Sequence, residues 1–305
     1  MRRRECLKGG LSLILAGLLP LARSGKAEVE RDHMAQGPTV QGRVRDLRNG
    51  TWLSETQFLE QLIAAEAVVI GERHDNPEHH RRERWVINQL AKRERLGGVA
   101  MEMLDASQRR ALETHSPAAW LAMSERSMRE TLEWNPGWDW QAYGPTLQRV
   151  FELGITPQPA NLAQETIRSI VTNNQAPELP APVAQAQRQA LIEGHCHLLP
   201  EEHLDGMLAA QVARDRAMAE ALDALPATAV LICGNGHARR DIGVPLHARK
   251  STLSLGMLEA PPGQDAWQAA LPAGVDAKPP FDLVWFSTGV SRGDPCAELR
   301  ERFAH

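Results

Sequence analysis

One pattern occurs twice in this chain: a short apolar run is followed by a glycine and, three residues later, by a histidine. In the first copy, VVIGERHDNPEHH, the apolar residues 67–70 lead to Gly71 and His74. In the second copy, residues 229–233 lead through GNGH to His237. Such runs are typical of strands buried in a sheet, and open α/β sheets bind ligands at the carboxyl ends of their strands. The two copies therefore predict that both histidines meet in one crevice.

Helical patterns alternate with short apolar runs along the rest of the chain, which predicts an α/β fold. We expect a mainly parallel β-sheet flanked by helices, with a smaller helical subdomain over about 162–225. Gly144 and Pro145 are expected to open the helix of residues 146–153. The other predicted helices cover residues 54–65, 77–95 and 106–129, and the other predicted strands cover residues 41–45, 99–103, 155–160, 251–255 and 283–286.

The first 27 residues have the features of a targeting segment. The basic start MRRRECLK precedes an apolar stretch, LSLILAGLLPLA, and small residues come before Glu28, at the usual spacing of a cleavage site. The apolar stretch is too short and too interrupted by glycine and proline for a comfortable membrane span. The pair Arg3-Arg4 resembles a twin-arginine signal, with a plain secretory signal as the alternative. Either signal predicts export to the periplasm.

The remaining chain carries an excess of acidic residues. The full chain has 34 Lys and Arg against 38 Asp and Glu; without residues 1–27 the numbers are 28 and 37, a formal charge of −9. Proteins that bind nucleic acids present a basic face, and attraction to anionic membranes needs basic clusters. The charge balance therefore argues against a nucleic-acid partner and gives no support to electrostatic binding at an anionic membrane. Because the only long apolar stretch lies in residues 1–27, no membrane span is expected in the mature chain.

Three cysteines remain if Cys6 is removed with the signal. Cys196, Cys233 and Cys296 allow at most one internal disulfide. Cys233 lies in a predicted strand, where an unpaired cysteine behaves as a small apolar residue. The sequence contains no CxxC pair, so it shows neither a zinc knuckle nor a thiol redox motif.

Three ionisable residues are candidates for one polar site. His74 and His237 follow the paired apolar runs, and Glu102 lies inside the apolar run of residues 99–103. A carboxylate buried in a strand is costly unless it is paired or used. Each residue also has a purely structural interpretation: the histidines would bond to a helix end or lie in a tight turn, and Glu102 would pair with Arg73 or another buried arginine. Their combination at predicted strand ends favours a shared site.

The single tyrosine, Tyr143, is a further candidate. A phenolate oxygen is a ligand for ferric haem iron, and the tryptophans around it would supply flat apolar walls for a porphyrin. Core packing, with the phenol hydrogen-bonded at a helix start, is the alternative. His195 and His197 are two residues apart, so they would share a face only on an extended segment. The tryptophans are Trp134, Trp138 and Trp140.

Several short motifs occur in an order that resembles the ChaN-like family of haem-binding, iron-regulated proteins. The resemblance runs from about residue 51 to residue 286, nearly the whole mature chain. Each motif is short, and their number and order make the resemblance specific. The motifs are Gly71-Glu-x-His74-Asp-Asn, Met101-Glu102, Trp140-x-x-Tyr143, Asn161, His195-Cys196, Gln211-x-x-Arg214-Asp215 with Met218-Ala219, and Gly234-Asn-Gly-His237-Ala-Arg.

This resemblance implies an α/β domain with a smaller helical part, and haem bound by a homodimer that stacks two haems face to face. A tyrosine of one subunit holds the iron in that picture, with a histidine of the partner close by. Tyr143 in the Trp-x-x-Tyr motif is then the candidate iron ligand, and His195 or His197 the candidate histidine. A role in haem or iron uptake follows, with a haem transporter or receptor as partner. Family members are often lipoproteins, whereas this chain has no lipobox cysteine, so a soluble periplasmic form is expected.

The paired Gly-x-x-His units also resemble a wider superfamily that includes erythromycin esterases and TraB/Tiki metalloprotease-like proteins. That resemblance implies a hydrolytic or metal site made of His74, Glu102 and His237. In physical terms, a glutamate with two histidines can activate a water or bind a divalent metal. A hydrolase, either an esterase or metallopeptidase-like, is therefore the alternative function. A non-catalytic module that binds a protein partner through its acidic surface is a third.

Overall fold

Eight strands form one sheet in the computed structural model of the chain. The structure describes residues 41–261, 266–294, 296–297 and 300, all within one compact unit, Asp32–His305. The predicted signal segment, residues 1–27, lies outside the described residues. The strands are β1 (Val44–Asp46), β2 (Thr51–Leu53), β3 (Ala67–Glu72), β4 (Gly98–Asp105), β5 (Gln158–Asn161), β6 (Ala229–Gly234), β7 (Thr252–Glu259) and β8 (Leu283–Ser287).

The sheet is mainly parallel, as predicted. Its strand order is β2-β1-β8-β7-β3-β6-β4-β5. β1 pairs antiparallel with both β2 and β8, and the other pairings among the described strands are parallel. β3 and β6, at the centre, are buried along their whole length. Uniform burial of this kind explains why their sequences are continuous apolar runs rather than alternating ones.

Ten α-helices have both of their ends among the described residues, and local signals in the sequence account for several of their starts. Ser54 and Gln57 form a capping box before the first helix, and Asn76 caps the second, with Pro77 at its first position. No helix in this part of the chain combines the length and apolar character that a membrane span needs. The helices are α1 (Glu55–Ala64), α2 (Pro77–Ala91), α3 (Arg109–Thr114), α4 (Pro117–Leu121), α5 (Glu125–Thr131), α6 (Trp140–Glu152), α7 (Gln164–Asn173), α8 (Ala181–Gly194), α9 (Leu204–Asp223) and α10 (Asn235–Ala238).

The two faces of the sheet bury separate apolar clusters. Alternate residues of a strand point to opposite faces. Val68 and Ile70 of β3 therefore belong to the cluster that includes the inner faces of α2 and α6, whereas Ala67 and Val69 belong to the cluster that includes α9. Helices thus cover both faces of the sheet, which confirms the predicted α/β class.

The helix predicted for residues 146–153 begins earlier than expected. α6 begins at Trp140, because the Asp139 side chain caps it by accepting a backbone N–H at 3.0 Å. Gly144, expected to open the helix, lies inside it, and a Cβ there would come within 2.6 Å of the Trp140 ring. The glycine therefore lets that ring lie against the helix backbone. As a consequence, Tyr143 stands on the first turns of a helix rather than in a loop.

The segment predicted as a helical subdomain contains α7, α8 and α9. α9 packs against β4, β5 and β6, and both α7 and α8 pack against α9. α9 is therefore part of the cover of the sheet. Its side chains Gln211 and Arg214 extend to residues at the carboxyl edge of the strands, which brings α9 into the site described next.

Candidate functional site

The carboxyl ends of β3 and β6 lie side by side and carry both histidines of the repeated pattern. The strands pair in parallel with Glu72 opposite Gly234. His74 follows β3, and His237 lies on α10, which begins directly after β6. A Cβ at Gly234 would lie 2.8 Å from His74 Nε2, so the glycine allows the imidazole to approach the backbone closely. The two units therefore meet at one edge of the sheet, as the sequence indicates.

Tyr143 lies at the same edge, in contact with His74. Its hydroxyl donates a hydrogen bond to Glu72 Oε1 at 2.7 Å and lies 3.1 Å from His74 Nδ1. His74 Nδ1 is itself 2.9 Å from the same Glu72 oxygen. Trp138 packs edge-on against His74, with ring centres 4.9 Å apart. From the sequence, the tyrosine and the histidine belong to separate candidate sites; the fold joins them because α6 packs against α2.

Glu72 is the charged centre of this group. Burial alone would raise its pKa, but hydrogen bonds from His74 and His80 hold the pKa of this carboxyl well below its usual range. Burial opposes protonation of His74, yet the hydrogen bond to Glu72 raises the pKa of this imidazole above its ordinary value. Burial, and then the Glu72 charge, raise the pKa of Tyr143 far above that of a free phenol. The phenol is therefore neutral at physiological pH.

A second buried carboxyl group, that of Glu83, interacts with Glu72. Glu83 was not among the site residues predicted from the sequence. Burial and the Glu72 charge raise the pKa of Glu83 well above its usual value, so Glu83 is the protonated member of a carboxylic acid–carboxylate pair. The signal was present: His79, Glu83, Val86 and Leu90 fall at helical spacings of three and four, and all four are buried. A glutamate on the apolar face of a helix indicates a specific partner.

Glu102, on β4, forms the other side of the crevice. Its Oε1 accepts a hydrogen bond from Arg214 at 2.5 Å, and its Oε2 accepts one from the Gly234 backbone N–H at 2.7 Å. His237 Nε2 lies 3.6 Å from Oε1. Burial alone would raise the pKa of Glu102, but the charges of His237 and Arg214 bring it below its ordinary value. The ion pair foreseen for Glu102 exists, with Arg214 rather than Arg73 as its partner.

A buried acid, Asp215, contacts His237 from the side opposite Glu102. Asp215 belongs to one of the sequence motifs, but the sequence predicted no role for it. His237 Nδ1 lies 2.6 Å from Asp215 Oδ1 and 3.1 Å from Gln211 Nε2. Burial raises the pKa of Asp215 despite the opposing effect of His237. Because Asp215 engages Nδ1, the other ring nitrogen of His237 faces Glu102. A histidine oriented in this way by a carboxylate is suited to general acid–base chemistry.

The polar groups of the crevice do not make a metal centre by themselves. Among the residues that the structure describes, no group of three or more His, Cys, Asp and Glu side chains is arranged to hold an ion. The hydrolytic alternative with a protein-bound metal therefore has no such ligand set in that part of the chain. A haem iron needs fewer ligands from the protein, because the porphyrin supplies four and the protein only one or two.

An open cavity of about 540 Å³ lies beside His74, between α2 and the start of α6. Its volume falls within the roughly 300–1,000 Å³ that is typical of small-molecule sites. The His74 side chain is 40% exposed, whereas Tyr143 is 1% exposed and lies behind it. We call this cavity the α2–α6 cleft; it is lined by His74, Asp75, Pro77, His80, Arg81, Arg84, Asp139, Gln141 and Ala142.

The three tryptophans expected as porphyrin walls have different positions. Trp134 and Trp140 are buried and pack edge-to-face with ring centres 5.1 Å apart, so they belong to the core. Trp138 is half-buried and contacts both His74 and Tyr143. Of the three, Trp138 is therefore the one placed to meet a ligand.

His195 and His197 lie just after α8, on either side of a disulfide-bonded cysteine. Cys196 is joined to Cys296, and the backbone at Cys196 and His197 is left-handed. The described contacts of this segment do not include one with Tyr143; His195 Nδ1, for example, bonds to a carbonyl of α8 at 2.8 Å. Within one chain, the structure therefore does not bring these two histidines to the tyrosine. Their place near a partner's haem stays a prediction.

A protein-family model described as "Haem-binding uptake, Tiki superfamily, ChaN" matches residues 58–247, more than half of the chain. The chain belongs to this family. The match confirms the resemblance inferred from the ordered motifs, and at the level of the family it confirms haem as the predicted cofactor. No curated protein matches the chain at a significant level.

One solved structure shows the same fold for this ChaN-family chain. A structure titled "Cofacial heme binding to ChaN of Campylobacter jejuni" is 22% identical, covers 79% of this chain and 95% of that one, and superposes with a TM-score of 0.67. The type III effector HopBA1 is 17% identical over 77% of this chain and 93% of its own, with a TM-score of 0.39. The ChaN structure thus shows the fold, and the HopBA1 match is too distant to support an argument.

Proposed function

We propose that this chain is a periplasmic haem-binding protein of haem or iron uptake, which holds haem in the α2–α6 cleft with Tyr143 as the iron ligand. Membership of a haem-binding family supports the ligand. The observation that carries the assignment of the site is the 3.1 Å contact between the only tyrosine of the chain and His74, which lines an open cavity.

The residues around the cleft fit a haem. Pro77 and Ala142 in the lining, and Trp138 beside His74, offer apolar surface to a porphyrin face. Tyr143 supplies an oxygen ligand of the type that ferric iron accepts. Because His74 lies between the phenol and the cavity, ligation requires this exposed imidazole to turn aside. Bound haem would supply a ferric iron that accepts an oxygen ligand, and Tyr143 would provide that oxygen.

The proton that Tyr143 loses when it becomes a ligand passes to the Glu72–His74 pair, in which His74, with its raised pKa, is the stronger base. The hydroxyl already donates to Glu72 Oε1 at 2.7 Å. A buried neutral phenol is a weak ligand, whereas a phenolate is a strong one, so a nearby proton acceptor favours ligation. In this proposal Glu72 and His74 control when Tyr143 binds iron, although neither of them is itself a ligand.

The proposal also includes a homodimer, a periplasmic location and a haem transporter or receptor as partner. The Cys196–Cys296 disulfide supports an oxidising compartment such as the periplasm. His195 and His197, beside that disulfide, are assigned to the haem of the second subunit in a homodimer with stacked haems. A haem transporter or receptor would then receive the haem.

An absorption titration with ferric haem tests the proposal. The wild-type protein is expected to give a saturable high-spin ferric spectrum, and Tyr143→Phe a changed or weaker one. The double variant His195→Ala/His197→Ala should keep the tyrosinate spectrum of each subunit and reduce haem-dependent dimerisation, measured by sedimentation. A wild-type protein whose addition leaves the haem spectrum unchanged would overturn the proposal.

Hydrolysis is the second candidate, and two contacts support it: His74 and Glu102 both approach Gly234, and His237 Nε2 lies 3.6 Å from Glu102 Oε1. His237 is oriented by Asp215, as a general base would be, although both Glu102 oxygens are engaged. A screen with ester and peptide substrates, with elemental analysis of the protein, tests this candidate. Any activity found should be lost in His237→Ala and His74→Ala; activity that survives both changes would exclude this site as its source.

A further inference from the structure

We propose that Arg292 is a positioning residue for haem: it ties the loop that carries His74 to the end of β7, and the Cys196–Cys296 disulfide holds it there. The inference rests on the proposed haem site. We call residues 73–76, between β3 and α2, the His74 loop. Arg292 follows β8 and lies beyond the residues that the family model matches, so membership of the family assigns it no role.

Arg292 binds two carboxylates from different elements at once. Its Nη2 donates to Asp75 Oδ1 in the His74 loop at 2.7 Å, and its Nε donates to Asp75 Oδ2. It also donates to both oxygens of Glu259, the last residue of β7, at 2.6 and 2.5 Å. Paired charge-assisted hydrogen bonds from a guanidinium fix direction as well as distance. Arg292 therefore joins the His74 loop to β7 with a defined geometry.

The last residue of the His74 loop is fixed to the same part of the sheet by buried contacts. Asn76 Nδ2 donates to Glu259 Oε1 at 2.6 Å and to the Thr288 carbonyl, directly after β8, at 3.1 Å. Asn76 is buried, whereas the Asp75 side chain is 54% exposed and lines the cleft. Arg73 Nε also lies 3.5 Å from Asp75, but a contact within the loop does not tie it to the sheet. Arg292 therefore restrains the exposed part of the loop.

The position of the His74 loop decides the shape and the charge of the cleft. His74 and Asp75 both line the cleft, and His74 Nδ1 lies 3.1 Å from the Tyr143 hydroxyl. If the loop samples several positions, the cleft is formed for only a fraction of the time, and the apparent dissociation constant rises by the inverse of that fraction. Without Arg292, Asp75 would also lose its closest counter-charge beside a ligand that carries two carboxylates. Both effects predict weaker haem binding when Arg292 is removed.

The disulfide anchors the segment that carries Arg292. Shortly after Arg292, Cys296 is bonded to Cys196, next to α8. The arginine thus lies between β8, which is paired in the sheet, and a covalent cross-link. A segment fixed at both sides loses less conformational freedom when its side chain binds two carboxylates. The disulfide should therefore support haem binding through Arg292.

Titrations of the full chain with ferric haem, followed by absorption, test the role of Arg292. Arg292→Gln should weaken haem binding about ten-fold, the change expected if the cleft is formed for about a tenth of the time, and should keep the tyrosinate spectrum. Arg292→Lys, which keeps the charge but not the fork, should have an intermediate affinity and serves as the test if the Gln variant does not fold. Arg240→Gln is the matched control and should bind as the wild type does, because it breaks one ion pair, with Asp282, at the opposite end of β8. Thermal unfolding verifies that each variant is folded.

The same titrations test the disulfide. Cys196→Ser/Cys296→Ser should weaken haem binding by a smaller factor than Arg292→Gln does, and should have no effect when it is added to Arg292→Gln. An equal effect of the serine pair in both backgrounds would overturn the role of the disulfide. Equal haem affinity of the wild type and the two Arg292 variants would overturn the positioning role while the haem site stands. A wild type that does not bind haem would overturn the site and the inference together.

Discussion

Glu102 illustrates how a buried charge is supported at the sheet edge. Its side chain is 2% exposed, and Arg214, which is 22% exposed, is its ion-pair partner. Removal of one member of a fully buried pair costs about 3–5 kcal/mol, because the other charge is left without compensation. Since Arg214 is partly solvated, and Gly234 and His237 also contact the carboxylate, the cost here should be smaller.

We therefore expect Arg214→Gln to lower the free energy of unfolding by about 2 kcal/mol, which is less than the cost of breaking a fully buried pair because Arg214 is partly solvated. Glu102→Gln/Arg214→Gln should recover part of that loss, because the amide leaves no charge unpaired. Urea unfolding of both single variants and the double variant measures the coupling. Strictly additive effects would show that the two side chains do not interact energetically.

His79 makes the stability of the protein depend on pH. It is buried, with Nε2 2.7 Å from Ser287 Oγ and Nδ1 accepting the Arg73 backbone N–H at 2.9 Å. Burial, and then the charge of Arg82, lower the pKa of His79 to about 3. The unfolded chain has a histidine pKa of about 6.5, so below that pH the unfolded state binds a proton that the folded state does not.

The contribution of His79 to the free energy of unfolding should therefore fall as the pH is lowered from about 6.5 to 5, by up to roughly 1.4 kcal/mol per pH unit. Groups with raised pKa values, such as His74 and Glu83, contribute in the opposite direction over this range. The carboxylates of Asp75 and Glu259, whose pKa values are lowered, begin to contribute only below about pH 5. Urea unfolding at pH 7, 6 and 5 measures the slope. The stability of the wild type relative to His79→Gln should fall over this range, because the variant lacks only the His79 contribution; a difference that does not change with pH would assign the effect to other groups.

At the scale of elements, the contact between α10 and β3 positions His237. A Cβ at Gly71 would lie 2.6 Å from both Ala238 Cβ and Asn235 Oδ1 on α10. The helix therefore rests directly on the backbone of the strand. Any larger residue in the strand would displace α10, and His237 with it, from Glu102.

Gly71→Ala should lower the free energy of unfolding by about 1–3 kcal/mol, the usual cost of overpacking a core. Gly236→Ala is the matched control on α10, because a Cβ there meets nothing within 4 Å, and alanine has the better helix propensity. Chemical unfolding of the two variants measures the difference. Similar stabilities would show that α10 can shift at little cost.

Most strands could be predicted from the sequence, because the centre of the sheet is buried on both faces and its strands are apolar runs. The meeting of His74 with His237 followed from the same reasoning, since parallel strands share an edge. The contact between His74 and Tyr143 did not follow, because it depends on how α6 packs against α2. The start of α6 was misplaced because Gly144-Pro145 looks like a helix opening, whereas the Asp139 cap and the Trp140 ring set the true start.

At the scale of the whole molecule, the segment after β8 connects the site to the helical part. Arg292 bonds to Asp75, beside His74, and to Glu259 at the end of β7. A few residues later, Cys296 is bonded to Cys196, next to α8. Cys233 is buried and free, as predicted. The disulfide is thus a cross-link between distant parts of the chain.

Reduction of this disulfide should lower the free energy of unfolding by about 2–5 kcal/mol, because a cross-link over a long loop restricts the unfolded chain. The two cysteines are 100 residues apart in the sequence. Urea unfolding with and without a thiol reductant measures the effect. Cys196→Ser/Cys296→Ser should match the reduced protein and be insensitive to the reductant; a reductant effect that persists in this variant would contradict the assignment.

The sheet edge carries two neighbouring groups of polar side chains. His74 belongs to both, because it contacts Tyr143 beside the α2–α6 cleft and lies close to Gly234 and Glu102 in the crevice. We propose that iron binds on the tyrosine side of His74 and that the Glu102–His237 side is a separate polar site of the same fold.

The most direct test of the central claim is the resonance Raman spectrum of the ferric haem complex, recorded with excitation into a tyrosinate-to-iron charge-transfer band. We predict vibrations of an iron-bound tyrosinate in the wild type, and their absence from Tyr143→Phe loaded with the same haem. Because the chain has a single tyrosine, such bands can arise only from Tyr143. A wild-type haem complex without tyrosinate bands would contradict the claim.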